Sequence, residues 1–208
     1  NTMILKPYLT RVGDSDVETD EFATVEGARL ASSRPWEIRA DIREGPSGDY
    51  LEVLYDSFDD KDYLPDKDRL YHLDFREAKS PTLWLNSDHE KITRVLDSRG
   101  SRGPEARMRD VFFDQISQSV WTQLLVRAAT DIDEEGVSRY EWEEGVLNRF
   151  IDQIYPEIEK KEARRKLSRD IRSAEELPEI MERIDGALQD RLESHKHMTK
   201  VIEEALDD

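Results

Sequence analysis

Apolar residues fall at every second position over much of the first ninety residues, and at every third or fourth position beyond Ser87. Trp36-Glu37-Ile38-Arg39-Ala40-Asp41-Ile42-Arg43 alternates cleanly, Gly45-Pro46-Ser47-Gly48 supplies a turn, and Tyr50-Leu51-Glu52-Val53-Leu54-Tyr55 alternates again. That pattern predicts two antiparallel strands joined by a short loop. Arg69 to Phe75 predicts a third strand, and the short apolar run Thr82-Leu83-Trp84-Leu85 a fourth. Residues 3–11 read as a further short strand, with Pro7 marking an edge or irregular position because it cannot donate to a ladder. An antiparallel sheet with one buried face follows from this series.

The rhythm then becomes helical. Ser87-Asp88-His89-Glu90 has the form of a capping box, in which hydroxyl and carboxylate answer each other's backbone amides. It opens a helix to about Asp97. Ser98 to Pro104 carries two glycines and a proline and reads as a flexible loop or boundary. From about Glu105 to Ala129 a long helix is predicted, with Met108, Val111, Phe112, Ile116, Val120, Trp121, Leu124 and Leu125 on a broad apolar face. Ser138-Arg139-Tyr140-Glu141 predicts another helix through Tyr155. Pro156 suits the first turn of the next, running to about Ile171. Ser173-Ala174-Glu175-Glu176 opens a last helix that continues to Leu206, weakened at Gly186. The expected fold class is therefore α+β: an N-terminal antiparallel sheet of about four strands followed by a bundle of four to five helices. Residues 1–86 form the strand-rich part and 87–208 the helical part, either as two subdomains or as one continuous domain.

Composition narrows the setting. Charged residues make up 38% of the chain, hydrophobic residues 37%, and the net charge is −17. Such a chain repels nucleic acid and anionic membranes at long range and attracts basic partners. Solubility alone, or adaptation to a salt-rich cytoplasm, accounts for acidity equally well. The absence of cysteine removes disulfides and thiolate chemistry and fits a reducing compartment. No run approaches the ~18 apolar residues of a membrane span, and the first residues lack the basic-then-apolar layout of a secretory signal. The expected location is the cytoplasm, without membrane partners.

Three groups have the residue types of a metal or catalytic site. Asp131-Ile132-Asp133-Glu134-Glu135-Gly136 places acids at positions 1, 3 and 5 and glycine at 6 of a calcium-type loop. Trp142 holds position 12, where the bidentate glutamate belongs, and Ser138 holds the usual apolar position 8. The simpler reading is a connection between helices. Asp66 followed by Glu77-Ala78-Lys79 matches the acid and acid-x-lysine order of magnesium nucleases, in which carboxylates hold the metal and lysine orients water. His72 and Asp74 share a strand face, and Asp88 and His89 follow the next strand, so two imidazoles and two carboxylates could share a divalent ion if the strands are neighbours. His195 and His197 stand two apart on a helix and point apart.

Charge runs suggest partners. Asp56, Asp59, Asp60, Asp62, Asp66 and Asp68 crowd one loop, which is either solvated, attractive to a basic protein, or a mimic of a nucleic-acid backbone. Lys161, Arg165, Arg169 and Arg172 lie near one helix face. Glu157, Glu159, Glu162 and Asp170 stand within reach as salt-bridge partners, and this face is the only place where a nucleic acid or phosphate contact is expected. No nucleophile elbow, dinucleotide fingerprint or phosphate-cradling loop occurs. The expected function is a non-enzymatic, acidic protein-interaction or assembly module without cofactor, with homo-oligomerisation through the C-terminal helix as one mode. The alternatives are a divalent-metal-dependent hydrolase or nuclease using calcium or magnesium at the residues above, and a nucleic-acid-mimicking inhibitor.

Overall fold

The structure, a computed structural model, describes residues 2–5, 8–14, 25–32, 36–39 and 51–206. By backbone contacts the chain divides into two units, Asn1–Arg43 and Glu44–Asp208. The first holds strands β1 (Thr2–Leu5), β2 (Tyr8–Thr10), β3 (Arg29–Ser32) and β4 (Trp36–Arg39). β1 pairs antiparallel with β4, and β2 with β3. The strand expected over 3–11 is thus two strands serving two ladders, and β3, with only Leu30 and Ala31 to signal it, was not foreseen. The acidic stretch expected as a loop begins at Asp14 and ends at Glu26, where the Asp14 carboxylate accepts from the Glu26 amide at 2.7 Å. Residues 15–24 of that stretch lie outside the described residues.

In the second unit, β5 (Glu52–Asp56), β6 (Tyr71–Asp74) and β7 (Thr82–Asn86) form a sheet in the order β5-β7-β6. β7 pairs antiparallel with β6 but parallel with β5. This corrects the expected all-antiparallel arrangement: β4 pairs with β1, β5 pairs with β7, and the Gly45–Gly48 turn predicted between β4 and β5 lies outside the described residues. Alternation reveals which side chains share a face, not which strand lies alongside. The α+β class and the order of strands then helices hold. Leu73, Leu83 and Leu85 point from the sheet into the core that also holds the helices' apolar faces.

Among the described residues six helices follow: α1 (Glu90–Leu96), α2 (Pro104–Thr130), α3 (Glu141–Ile154), α4 (Lys160–Arg172), α5 (Leu177–Leu192) and α6 (Ser194–Leu206). α2 is the central rod and packs against each of the other five. Its Ile116, Val120, Trp121, Leu124 and Leu125 are buried, as the broad apolar face predicts, whereas Val111 and Phe112 are half-buried and Met108 near the helix start is exposed. No helix among the described residues is long and apolar enough to cross a membrane.

Helix starts depart from the sequence expectation where side chains found other partners. The box expected between Ser87 and Glu90 does not form: α1 starts after His89 with no side-chain cap, and Asp88 accepts from the Phe58 and Asp59 amides at 2.9 and 3.0 Å and so pins the β5–β6 connection. The box expected at Ser138 is shifted by two residues: Glu143 accepts from the Arg139 and Tyr140 amides at 2.8 and 2.9 Å, and α3 begins at Glu141. Pro156 stands in a turn before α4, whose start is capped by Glu159. Ser98–Gly103, expected as flexible, is held by the buried Arg109, which donates to the Ser98 and Gly100 carbonyls.

The largest helical difference is at the C-terminus. Glu193 takes a left-handed conformation (φ 52°) and breaks the expected single helix into α5 and α6. α6 turns back along α2, where Arg107 meets Glu204 at 2.8 Å and the His197 imidazole meets Asp114 at 2.7 Å. The strain of a left-handed non-glycine residue, ~1–2 kcal/mol, is offset by this docking. α6 thus packs along α2 while most of its described residues stay exposed, Met198 and Ile202 among them.

Candidate functional site

The α2–α3 loop lies directly on α4, and a glycine permits the approach. Gly136 has φ +82°, and a Cβ there would sit 3.1 Å from the Lys161 carbonyl oxygen, which belongs to the α4 backbone and cannot swing away. Asp133 shapes the same loop: its carboxylate accepts from the Glu135 and Val137 amides, both at 2.9 Å. Gly136→Ala is accordingly expected to lower stability by about 1–3 kcal/mol, through left-handed strain plus a backbone clash. Thermal unfolding with α4 amide exchange checks this; an unchanged transition would show that the loop and α4 do not touch this closely.

Between loop and helix runs an open groove of about 660 Å³ lined by Ile132, Asp133, Glu134, Arg165, Ser168, Arg169, Arg172 and Ser173. Four of these, Arg165, Ser168, Arg169 and Arg172, recur at helical spacing and so share one face of α4. Arg165 reaches across to the Glu135 carbonyl at 3.2 Å, and Arg172 donates to the Thr130 carbonyl. Each uses one N–H of a five-donor guanidinium, leaving the rest of the fork available. Arg169 is 71% exposed, and its nearest acid is Asp170 at 3.8 Å. Cations in the last turn also counter the partial negative charge of the helix's carbonyl end. Ser168 is 5% exposed, and its hydroxyl has no hydrogen-bond partner.

Three other cations of α4 are committed elsewhere. Arg164 grips both Glu144 oxygens, at 2.8 and 2.6 Å, and this bidentate pair holds the Glu144 carboxyl below its ordinary range. Lys160 pairs with Asp152 at 2.9 Å and Lys166 with Asp170 at 2.8 Å. The salt-bridged face expected for α4 is real on this side, though two of these partners come from α3 and not from α4 itself. Lys161 is exposed and contributes its carbonyl and stem to the contact with Gly136. Lys160, Arg164 and Lys166 are thus held in ion pairs, while Arg165, Arg169 and Arg172 line the groove.

The calcium-type loop is used structurally. Trp142, at its twelfth position, is buried and donates its indole N–H to the Ala78 carbonyl at 2.9 Å. Asp133 is spent on backbone amides, Asp131 lies 3.7 Å from the Arg127 guanidinium, and the Glu135 amide and carbonyl belong to the loop's own bonding and to Arg165. Glu143, one residue past the missing ligand, is fully buried. Burial, and then the neighbouring Asp131 carboxylate, push its carboxyl upward against the pull of the two amides it caps.

The other candidates are dispersed. Asp66 sits in the turn before β6, its carboxylate accepting from Asp68, while Glu77 and Lys79 stand exposed in the turn after β6, at the strand's opposite end. His72 pairs across the ladder with Trp84, and burial lowers its pKa. Asp74 is held by Arg76 at 2.6 Å, which keeps the carboxyl below its ordinary range despite burial. β7 runs antiparallel to β6, so His89 leaves at the Tyr71 end, away from Asp74. Among the described residues no cluster of three or more histidines or acids is placed to hold a metal ion. In the acidic loop, Asp56 lies 3.5 Å from Lys61 and Asp59 3.5 Å from Lys67, so part of its charge is locally paired.

Sequence reading found the arginines but missed Ser168 on their own helix face and Ser173 just past its end, and Ile132 joins them only because the loop folds onto α4. The one signal available was the i, i+3, i+4, i+7 spacing of Arg165, Ser168, Arg169 and Arg172. No protein-family model, curated protein or solved structure matches this chain.

Proposed function

We propose that the protein is a non-enzymatic interaction module that receives an acidic segment of a partner protein in the groove between α4 and the α2–α3 loop. The observation that carries this reading is the convergence of Arg165, Arg169 and Arg172 on one groove in a chain whose net charge is −17. Guanidinium forks match carboxylates in bidentate geometry, and paired charges of this kind form the stronger hydrogen bonds. The net charge works against distant capture of an anion. Screening over ~8 Å at physiological ionic strength confines that repulsion, so the groove selects at contact range.

The opposite wall favours a short segment over a long polyanion. Asp133 and Glu134 line it, and they would meet the next phosphates of a nucleic acid with like charge. In a protein segment they face backbone amides or a basic side chain instead. The acidic β5–β6 connection remains a second surface, suited to the basic partner that the composition suggests.

Anisotropy of fluorescein-labelled hexaglutamate tests the proposal. A Kd on the order of 0.1–1 mM is expected, about 4–5.5 kcal/mol. Arg169→Gln and Arg165→Gln, each with unchanged unfolding temperature, are expected to weaken it several-fold. Wild-type affinity in both variants, or tighter binding of an oligothymidylate of equal charge, would overturn the proposal.

A further inference from the structure

We infer that the anionic group this groove selects is a phosphoryl group in preference to a carboxylate, an inference that rests on the groove being the docking site proposed above. The donors are the first reason. Arg165, Arg169 and Arg172 bring three delocalised cations to one side of a single groove. A carboxylate offers one negative charge and two oxygens; a phosphoryl monoester offers about −1.5 to −2 near pH 7 and three strong acceptor oxygens. The larger charge is the better match for three guanidiniums.

Ser168 is the second and independent reason. It lies on the same face of α4 as the three arginines and lines the groove, yet its buried hydroxyl is without a partner. A buried hydroxyl left unpaired is costly, and a third phosphoryl oxygen is an acceptor of the kind it lacks. Ser173 stands at the same end of the groove. Its oxygen accepts from the Glu176 amide at 3.4 Å, which leaves its proton to donate. Arg169, on the same helix face as Ser168, is 71% exposed, with the Asp170 carboxylate 3.8 Å away. Asp133 and Glu134 repel an anion from the far wall and direct it toward α4. A bare phosphate fills only a small part of about 660 Å³, which leaves room for whatever carries the phosphoryl group, with Ile132 as its apolar contact.

Free phosphate and a phosphorylated side chain share this chemistry. Both are tested by displacement of labelled hexaglutamate, using inorganic phosphate, acetate, and the peptide acetyl-Gly-Gly-phosphoSer-Gly-Gly-amide beside its unphosphorylated form. Phosphate and the phosphopeptide are each expected to compete at least about 10-fold better than acetate or the unphosphorylated peptide at pH 7.5. The phosphopeptide should compete less well at pH 5, below its second pKa of ~6, as it loses its second charge. A phosphopeptide at least about 10-fold stronger than phosphate identifies a modified segment as the source, whereas equal strength identifies the free ion. Ser168→Ala breaks no existing hydrogen bond and is expected to fold normally. It should weaken both phosphoryl probes about 3- to 10-fold while leaving hexaglutamate unchanged. Hexaglutamate binding with acetate as effective as phosphate, and no effect of Ser168→Ala, would overturn the phosphoryl inference and leave the acidic-segment reading standing. Failure of every probe, hexaglutamate included, would remove both.

Discussion

Phe150→Ala is expected to lower stability by about 3–5 kcal/mol, the cost of deleting a large ring from a core that closes only partly around the cavity. Phe150 is fully buried on α3. Its ring meets Trp121 of α2 edge-on, with centroids 5.3 Å apart, and the Arg191 guanidinium of α5 lies over it at 5.7 Å. One side chain therefore joins three helices, and its loss removes an aromatic pair as well as buried area. For a single cooperative core this size of loss consumes a large share of total stability. Denaturant unfolding of the variant measures it. A loss under about 1 kcal/mol would show that α2, α3 and α5 do not pack around this ring.

The second large effect is expected at a polar site. Asp170 is 5% exposed, yet it accepts from the Tyr155 hydroxyl at 2.6 Å and from the Lys166 ammonium at 2.8 Å. Burial alone would raise its carboxyl; the bonds from Lys166 and Tyr155 outweigh that and hold it below the ordinary range. Asp170→Ala strands a buried phenol and a half-buried ammonium and is expected to cost about 2–4 kcal/mol at pH 7. Because the folded-state pKa is depressed, the aspartate contributes fully above the unfolded carboxylate range, ~4. That contribution is lost as pH falls through the lower folded-state value. The gap between wild type and variant should therefore narrow on acidification. A gap that stays constant from pH 7 to pH 3, measured by urea unfolding at each pH, would mean that the charge of Asp170 is not what stabilises the pair. The same carboxylate lies beside Arg169, so the variant also changes the electrostatics of the groove, and binding assays belong with Ser168 and Arg165 instead.

Much of the fold was legible because burial imposes a period. The stripe from Met108 to Leu125 located α2 almost to the residue, and the alternation over 50–55 and 69–75 with the short apolar run at 82–85 located β5, β6 and β7. Partners were not legible. Nothing in Val53 or Leu54 states that β7 inserts between β5 and β6, since a strand's face follows from its own sequence while its neighbour follows from the path of the connections. Capping patterns misled for a related reason: Asp88 had the right chemistry for a helix start, but two amides 29 and 30 residues away claimed it. The break at Glu193 had a faint signal, because apolar residues vanish between Leu192 and Met198.

The candidate site was legible only in half. Lys161, Arg165, Arg169 and Arg172 stood out as a cationic face, whereas the pairing of Lys160 and Arg164 was not legible, because it depends on acids supplied by α3. Conversely, the metal-like patterns failed to converge once the chain was folded. Asp133 resembled a ligand because short acids make good turn formers, and it serves here as a turn former.

The most direct test is to watch the arginine side chains themselves. In ¹⁵N-labelled protein, each guanidinium Nε–H gives a resolvable signal when its exchange is slowed, and hexaglutamate or phosphate can be titrated while all are followed together. Progressive shifts concentrated at Arg165, Arg169 and Arg172, with Arg164 and Arg109 unmoved in their internal pairs, are the expected result. Shifts at arginines outside α4 with these three silent, or no shift at any concentration, would contradict a docking groove between α4 and the α2–α3 loop.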